Sequence, residues 1–252
     1  MTTGPNVKMM CRFWLSAPFT TASHLSGQVV PFVIHLAPLI IKHYMNRLST
    51  LKPKKHRDPA PKSRNRDASE NWRARLIVRH PGLYRRSAGG REAVTGFPSV
   101  GDGWREIIET MSSRIAEEVA ECQTGEMAIT QIKEKFGGLR VYTESCGLPK
   151  EVVGKANDAI DLAEARAECT CETCGAAGML DEHAGWLTTR CKKHGVGRVL
   201  SPKAGWENLL VKYSAQDGAI RVVSCRRYDR ERDAFEDVPV PLDLENDEED
   251  GQ

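Results

Sequence analysis

Residues 171 to 194 read CETCGAAGMLDEHAGWLTTRCKKH: two cysteines separated by two residues, a gap of sixteen, then a cysteine and a histidine separated by two. No other stretch constrains the fold as strongly. Zinc takes four soft or borderline ligands in a tetrahedron, and a pair separated by two residues lets one tight turn aim both side chains at the same ion. Cys171, Cys174, Cys191 and His194 supply two such pairs. Gly175 relieves crowding where the first turn leaves the metal, and MLDEHAGWLTTR suits a short hairpin turning through HAG. With four protein ligands the ion has no open position for water or substrate, so the predicted cofactor is a structural Zn2+. An iron-sulfur centre is the alternative. Cys169 and His183 are competing ligands, but Cys169 has a single residue between it and Cys171, a poorer chelate turn, and His183 falls at the hairpin tip.

Eight cysteines would suit disulfides in a secreted chain, but the amino terminus lacks the basic start, unbroken apolar run and small-residue cleavage site of a secretory signal. The expectation is a reducing, cytoplasmic setting, prokaryotic or the host cell of a phage. The segment before Asp58 has no acidic residue and is rich in Ser, Thr, Lys and Arg, which makes organelle targeting the alternative. The longest apolar stretch, Val29 to Ile41, spans thirteen residues and is broken by Pro31 and Pro38, too short for a membrane helix. No membrane partner is expected.

Charge is distributed unevenly. Residues 42 to 91 carry fifteen Lys/Arg against three Asp/Glu, whereas residues 229 to 250 carry eleven Asp/Glu against two Arg, so the net +2 conceals a basic arm and an acidic tail. From Leu51 to Ser69 three prolines and dense positive charge leave almost nothing apolar to offset ordering entropy. Residues 1–70 are therefore expected to be a disordered or misassigned basic extension, with Met45 the alternative start. Residues 244–252 are expected to be a disordered acidic tail.

Between these ends the periodicities predict an α+β domain over 71–200, with the zinc finger at 169–195 and a small helix and β-hairpin extension over 201–243. Trp72, Leu76, Ile77 and Leu83 suit a short amphipathic helix limited by Pro81. Trp104, Ile107, Ile108, Met111, Ile115 and Val119 mark a stronger one, with Asp102 as its cap. Met127 to Ile132 and Leu139 to Tyr142, joined through Gly137 and Gly138, suit a hairpin under that helix. A second helix should start near Pro149 and run through Val152, Val153, Ala156, Ile160 and Ala163. AGWENLLVKY suits a further helix, and AIRVVSCRRY with AFEDVPV a last hairpin. Cys122 is expected in the core.

A knuckle, a hairpin and a C-x2-H pair resemble the treble-clef zinc finger, in which the last pair opens a helix; a zinc ribbon would put it on a second knuckle instead. More widely, VGDGW, QIKEKFGGLRVY, AEARAECTCETCG and CKKH together resemble a family of short, uncharacterised bacterial and phage proteins with a KEKFGGLR-type segment before a CxxC...CxxH element, over about residues 71 to 195. The resemblance implies zinc and a prokaryotic or viral setting, and implies no activity.

KEKFGGLR could meet an anion, since Gly137 and Gly138 let backbone N-H groups approach while Lys133, Lys135 and Arg140 supply charge; a plain hairpin turn is the simpler account. Trp186 could stack on a base, or pack over the knuckle. A Ser-His-Asp set, a cysteine with a base, and paired catalytic carboxylates are all missing from the pattern. The sequence thus points to a zinc-stabilised, non-enzymatic binding protein associated with nucleic acid. The alternatives are a phage or regulatory protein that grips another protein, and a metal-dependent nuclease. The nuclease would need a second acidic and histidine cluster beside His183, which the sequence does not offer. Oligomeric state is not legible.

Overall fold

The computed structural model describes residues 31–35, 71–88, 90–216 and 219–241. The basic arm at 51–69 and the acidic tail beyond 244 lie outside the described residues, while residues 31–35 of the expected extension form a strand. The chain is α+β. In order it runs β1 (Pro31–His35), α1 (Trp72–Arg79), α2 (Pro81–Tyr84), β2 (Arg85–Ala88), β3 (Arg91–Val94), β4 (Pro98–Ser99), a 3-10 turn (Asp102–Trp104) and α3 (Arg105–Ala120). Then follow β5 (Glu126–Lys135), β6 (Gly138–Cys146), α4 (Lys150–Glu168), β7 (Met179–His183), β8 (Trp186–Arg190), β9 (Arg198–Val199), β10 (Leu209–Gln216), β11 (Ala219–Asp229) and β12 (Ala234–Asp237).

The helices follow their apolar spacing. Trp104, Ile107, Ile108, Met111 and Ile115 are buried along α3, and Ala156, Ile160 and Ala163 along α4. They share one core with Trp72, Leu76, Ile77, Leu83 and Tyr84 from α1 and α2 and with Ile129, Ile132 and Leu139 from the β5–β6 hairpin. Asp102 does not cap α3, whose N-cap is Trp104. Its Oδ1 instead accepts from Trp72 Nε1 at 2.9 Å and Arg73 Nη1 at 2.8 Å, fastening α1 to the loop before α3. Cys122, expected inside, is partly exposed just beyond the last turn of α3.

The helix laid along the hairpin is α4; α3 packs chiefly against α4. The difference has a cause in sheet topology. In the order β4-β5-β6, β6 is an edge strand whose outward N-H groups need partners. Glu164 of α4 meets one of them, accepting from the Val141 N-H at 2.9 Å, and Arg140 lies 3.6 Å from the same carboxylate.

A second sheet has the order β1-β10-β11-β12. AGWENLLVKY is not a helix: Leu209, Leu210 and Val211 enter β10, all buried, and β10 is paired on both sides. A short apolar run of this kind fits either period, and pairing decides it. The β11–β12 hairpin forms as its alternation predicts. Lys212 and Arg226 of this sheet meet the buried Asp161 of α4 at 2.6 and 3.2 Å, so α4 joins both halves of the fold. Among the described residues no helix is long and apolar enough to cross a membrane.

Candidate metal centre

The chain enters the cage straight from α4, whose C-cap is Cys169. The first knuckle closes through Cys171 N-H to the Ala176 carbonyl, Gly175 N-H to the Cys171 carbonyl (2.8 Å each) and Gly178 N-H to the Cys169 carbonyl (3.0 Å). Gly175 sits at φ +79°, a conformation that favours glycine. β7 and β8 then form the expected hairpin, turning through Ala184 and Gly185 at φ +51° and +84°. The second pair lies on a second knuckle, where the N-H groups of His194 and Gly195 donate to the Cys191 carbonyl at 2.9 and 2.8 Å.

No helix follows that knuckle, contrary to the treble-clef expectation. The chain continues into β9, which pairs with β7, and the Gly197 N-H donates to the Asp181 carboxylate at 3.1 Å. A Cβ at Gly197 would lie 2.1 Å from the Glu182 carbonyl oxygen, so the segment is held too close to β7 to coil.

This folding brings Cys171, Cys174, Cys191 and His194 together, with one ligand atom from each lying within 4.8 Å of the others, an arrangement that could hold a metal ion. His194 Nδ1 stands 3.6 Å from Cys171 Sγ and 3.3 Å from Cys191 Sγ, and the sulfurs of Cys174 and Cys191 are 3.7 Å apart. Cys171 is fully buried, Cys174 exposed. Burial opposes ionisation of Cys171, yet backbone N-H groups of Cys191, Cys174 and Thr173, with His194, lower its pKa to about 6. The two competing ligands are not part of this group. Cys169 Sγ points back to the Arg166 carbonyl at 3.3 Å and burial raises its pKa, while His183 is exposed at the hairpin tip.

The cage is mortised into the core by glycines whose role the sequence reading missed. Gly103 N-H donates to the Glu172 carbonyl and Gly101 N-H to the Glu172 carboxylate, both at 2.8 Å. Trp104, fully buried, donates from Nε1 to the Thr170 carbonyl at 2.8 Å. A Cβ on Gly103 would stand 2.3 Å from the Cys171 carbonyl oxygen and 2.6 Å from Cys174 N. VGDGW is therefore a clasp on the first knuckle; two glycines flanking an acidic residue before a large aromatic were the available signal.

KEKFGGLR closes on the cage hairpin. Its turn uses Phe136 at φ +55° and Gly137 at φ +81°, and Gly137 packs so closely on the cage hairpin that a Cβ would lie 2.4 Å from Leu180 Cδ1. Thr189 Oγ1 donates to the Gly137 carbonyl at 2.6 Å. The Gly137 N-H is already taken by Glu134 Oε1 at 2.6 Å, so the backbone here does not form an anion cradle. Burial raises the Glu134 pKa, against the lowering effect of that hydrogen bond.

Of the basic residues singled out by sequence, Arg140 is turned to Glu164, whereas Lys133 and Lys135 lie over the Tyr142 and Phe136 rings at 5.0 and 5.3 Å. Trp186 is 72% exposed and does not pack over the knuckle. No family model matches the chain, nor does any curated protein or any solved structure.

Proposed function

We propose that the four-residue cluster holds one structural zinc ion in a ribbon-like finger, and that the chain is a non-enzymatic binding protein that associates with nucleic acid. The donor spacing supports zinc. Bonds of about 2.3 Å to sulfur and 2.0 to 2.1 Å to nitrogen in a tetrahedron require edges of about 3.8 Å between sulfurs and about 3.5 Å between sulfur and nitrogen. The separations of 3.7, 3.6 and 3.3 Å lie close to those edges. With four protein ligands, zinc would act as a brace, and the chain's own residues would do the binding.

The observation that carries the binding reading is the docking of Gly137 on Leu180 and Thr189, which sets the basic KEKFGGLR turn against the metal hairpin. Lys133 and Lys135 are then presented from a rigid support, and Lys192 and Lys193 are exposed on the second knuckle. Cations held in this way neutralise phosphates and release counterions. Zinc-loaded protein is therefore expected to retard generic DNA or RNA, with affinity falling steeply as salt rises. Retention of a defined cellular protein after nuclease treatment, with no retardation of nucleic acid, would instead favour the protein-binding alternative.

A further inference from the structure

We infer that the outer face of the β5–β6 hairpin is a stacking platform for single-stranded nucleic acid. This rests on the nucleic-acid reading and narrows it.

Two aromatic rings stand out of the surface here: Phe136 is 42% exposed and Tyr142 43%. Alternation along the strands puts Gln131, Lys133 and Lys135 of β5 on the same face as Arg140 and Tyr142 of β6, with Lys133 opposite Arg140 and Gln131 opposite Tyr142. Phe136 follows at the turn. That turn rests on the Leu180 and Thr189 side of the metal hairpin, and alternation puts the exposed Trp186 on that hairpin's other face.

Both rings carry a lysine ammonium over them, Lys133 on Tyr142 and Lys135 on Phe136. Each pair offers a π face beside a positive charge, the complement of a base beside its phosphate. Lys135 has its pKa lowered, first by desolvation and then by the neighbouring charges of Lys133 and Arg140. Phe136 sharpens the point. A bulky residue in the left-handed region is uncommon, and here it holds a large ring out toward solvent. Glu144, two residues beyond Tyr142 on the same strand face, closes the track at that end.

A duplex keeps its bases stacked on one another, leaving such rings nothing to pair with; splayed bases of a single strand have free faces. Protein partners fit less well, because the rings are interleaved with lysines and interface cores are depleted in lysine.

The test uses the full-length, zinc-loaded chain with a fluorescent oligothymidylate and a duplex of equal length, followed by anisotropy across a salt series. The expected result is tighter binding of the single strand. Tyr142→Ala and Phe136→Ala should each weaken it by about tenfold or more, Tyr142→Phe should keep most of it, and duplex binding should move little. K133Q with K135Q should weaken both probes and lower the salt slope by roughly two. Thermal unfolding of each variant with zinc shows whether the fold is kept. Equal or tighter duplex binding, or aromatic variants that bind the single strand unchanged, overturns the platform while leaving the nucleic-acid reading intact. Binding of neither probe overturns both.

Discussion

Gly103 and Gly154 are the same residue type under opposite constraints. Gly103 lies against the first knuckle, where an added methyl would meet the Cys171 carbonyl oxygen at 2.3 Å and the Gly175 nitrogen at 2.5 Å. Backbone on both sides must shift to admit it, so Gly103→Ala is expected to cost about 1 to 3 kcal/mol and to weaken metal binding as the knuckle distorts. Gly154 sits inside α4 with nothing within 4 Å of its missing Cβ. There Ala removes backbone freedom from the unfolded chain, and Gly154→Ala is expected to stabilise by about 0.4 to 1 kcal/mol. Urea unfolding of both variants at saturating zinc checks the pair; equal effects at the two sites would contradict the clasp. Trp104 belongs to the same contact. Trp104→Phe leaves the buried Thr170 carbonyl without its donor and is expected to destabilise by about 1 to 3 kcal/mol in the same assay.

Among the elements, α4 has the most to do, because its polar face is buried where one helix must serve two sheets. Glu164 is pushed up by burial, against the opposing pull of Arg140 and the Val141 N-H, from its ordinary 4.5 to about 8, and burial raises Glu168 to about 7. Between those limits the folded chain holds protons that the unfolded chain has released. Their contribution is complete below about 4.5 and is lost as pH rises through about 8. Glu164→Gln keeps an acceptor for Val141 and removes the titration. At saturating metal, wild type should therefore lose stability relative to this variant as pH climbs from mildly acidic to alkaline; parallel curves would show that Glu164 does not titrate in this range. The helices themselves were legible because a stripe of Ile, Leu and Trp at three- and four-residue steps has no other stable use. The contact of α4 with β6 was not legible, since an open strand edge exists only once the sheet order is known. Nor was the second knuckle, although HGVGRV carries two glycines where a treble clef would begin a helix, and Gly197 is held against the Glu182 carbonyl. The strand at Leu209–Gln216 was missed because consecutive buried apolar residues obey neither period clearly.

For the whole molecule, the metal quartet could be read from spacing alone, whereas the packing of VGDGW and KEKFGGLR against it is a tertiary fact. Both segments pack against the cage, so the site is continuous with the main core through Trp104 and Gly137. A structural zinc in a small finger contributes roughly 10 to 16 kcal/mol of apparent binding energy, comparable to the 5 to 15 kcal/mol that stabilises a whole domain. Chelation is accordingly expected to unfold the main core along with the finger. Near-UV circular dichroism, which senses the buried Trp104, should collapse in one transition and recover on adding zinc but not magnesium. X-ray absorption at the zinc edge of the purified chain reads whether three sulfurs and one imidazole nitrogen close on a single ion. One equivalent of zinc is expected, with three sulfur neighbours at about 2.3 Å and one nitrogen at about 2.0 to 2.1 Å. A chain that is metal-free yet fully folded, or a zinc bound mainly through oxygen, would contradict it.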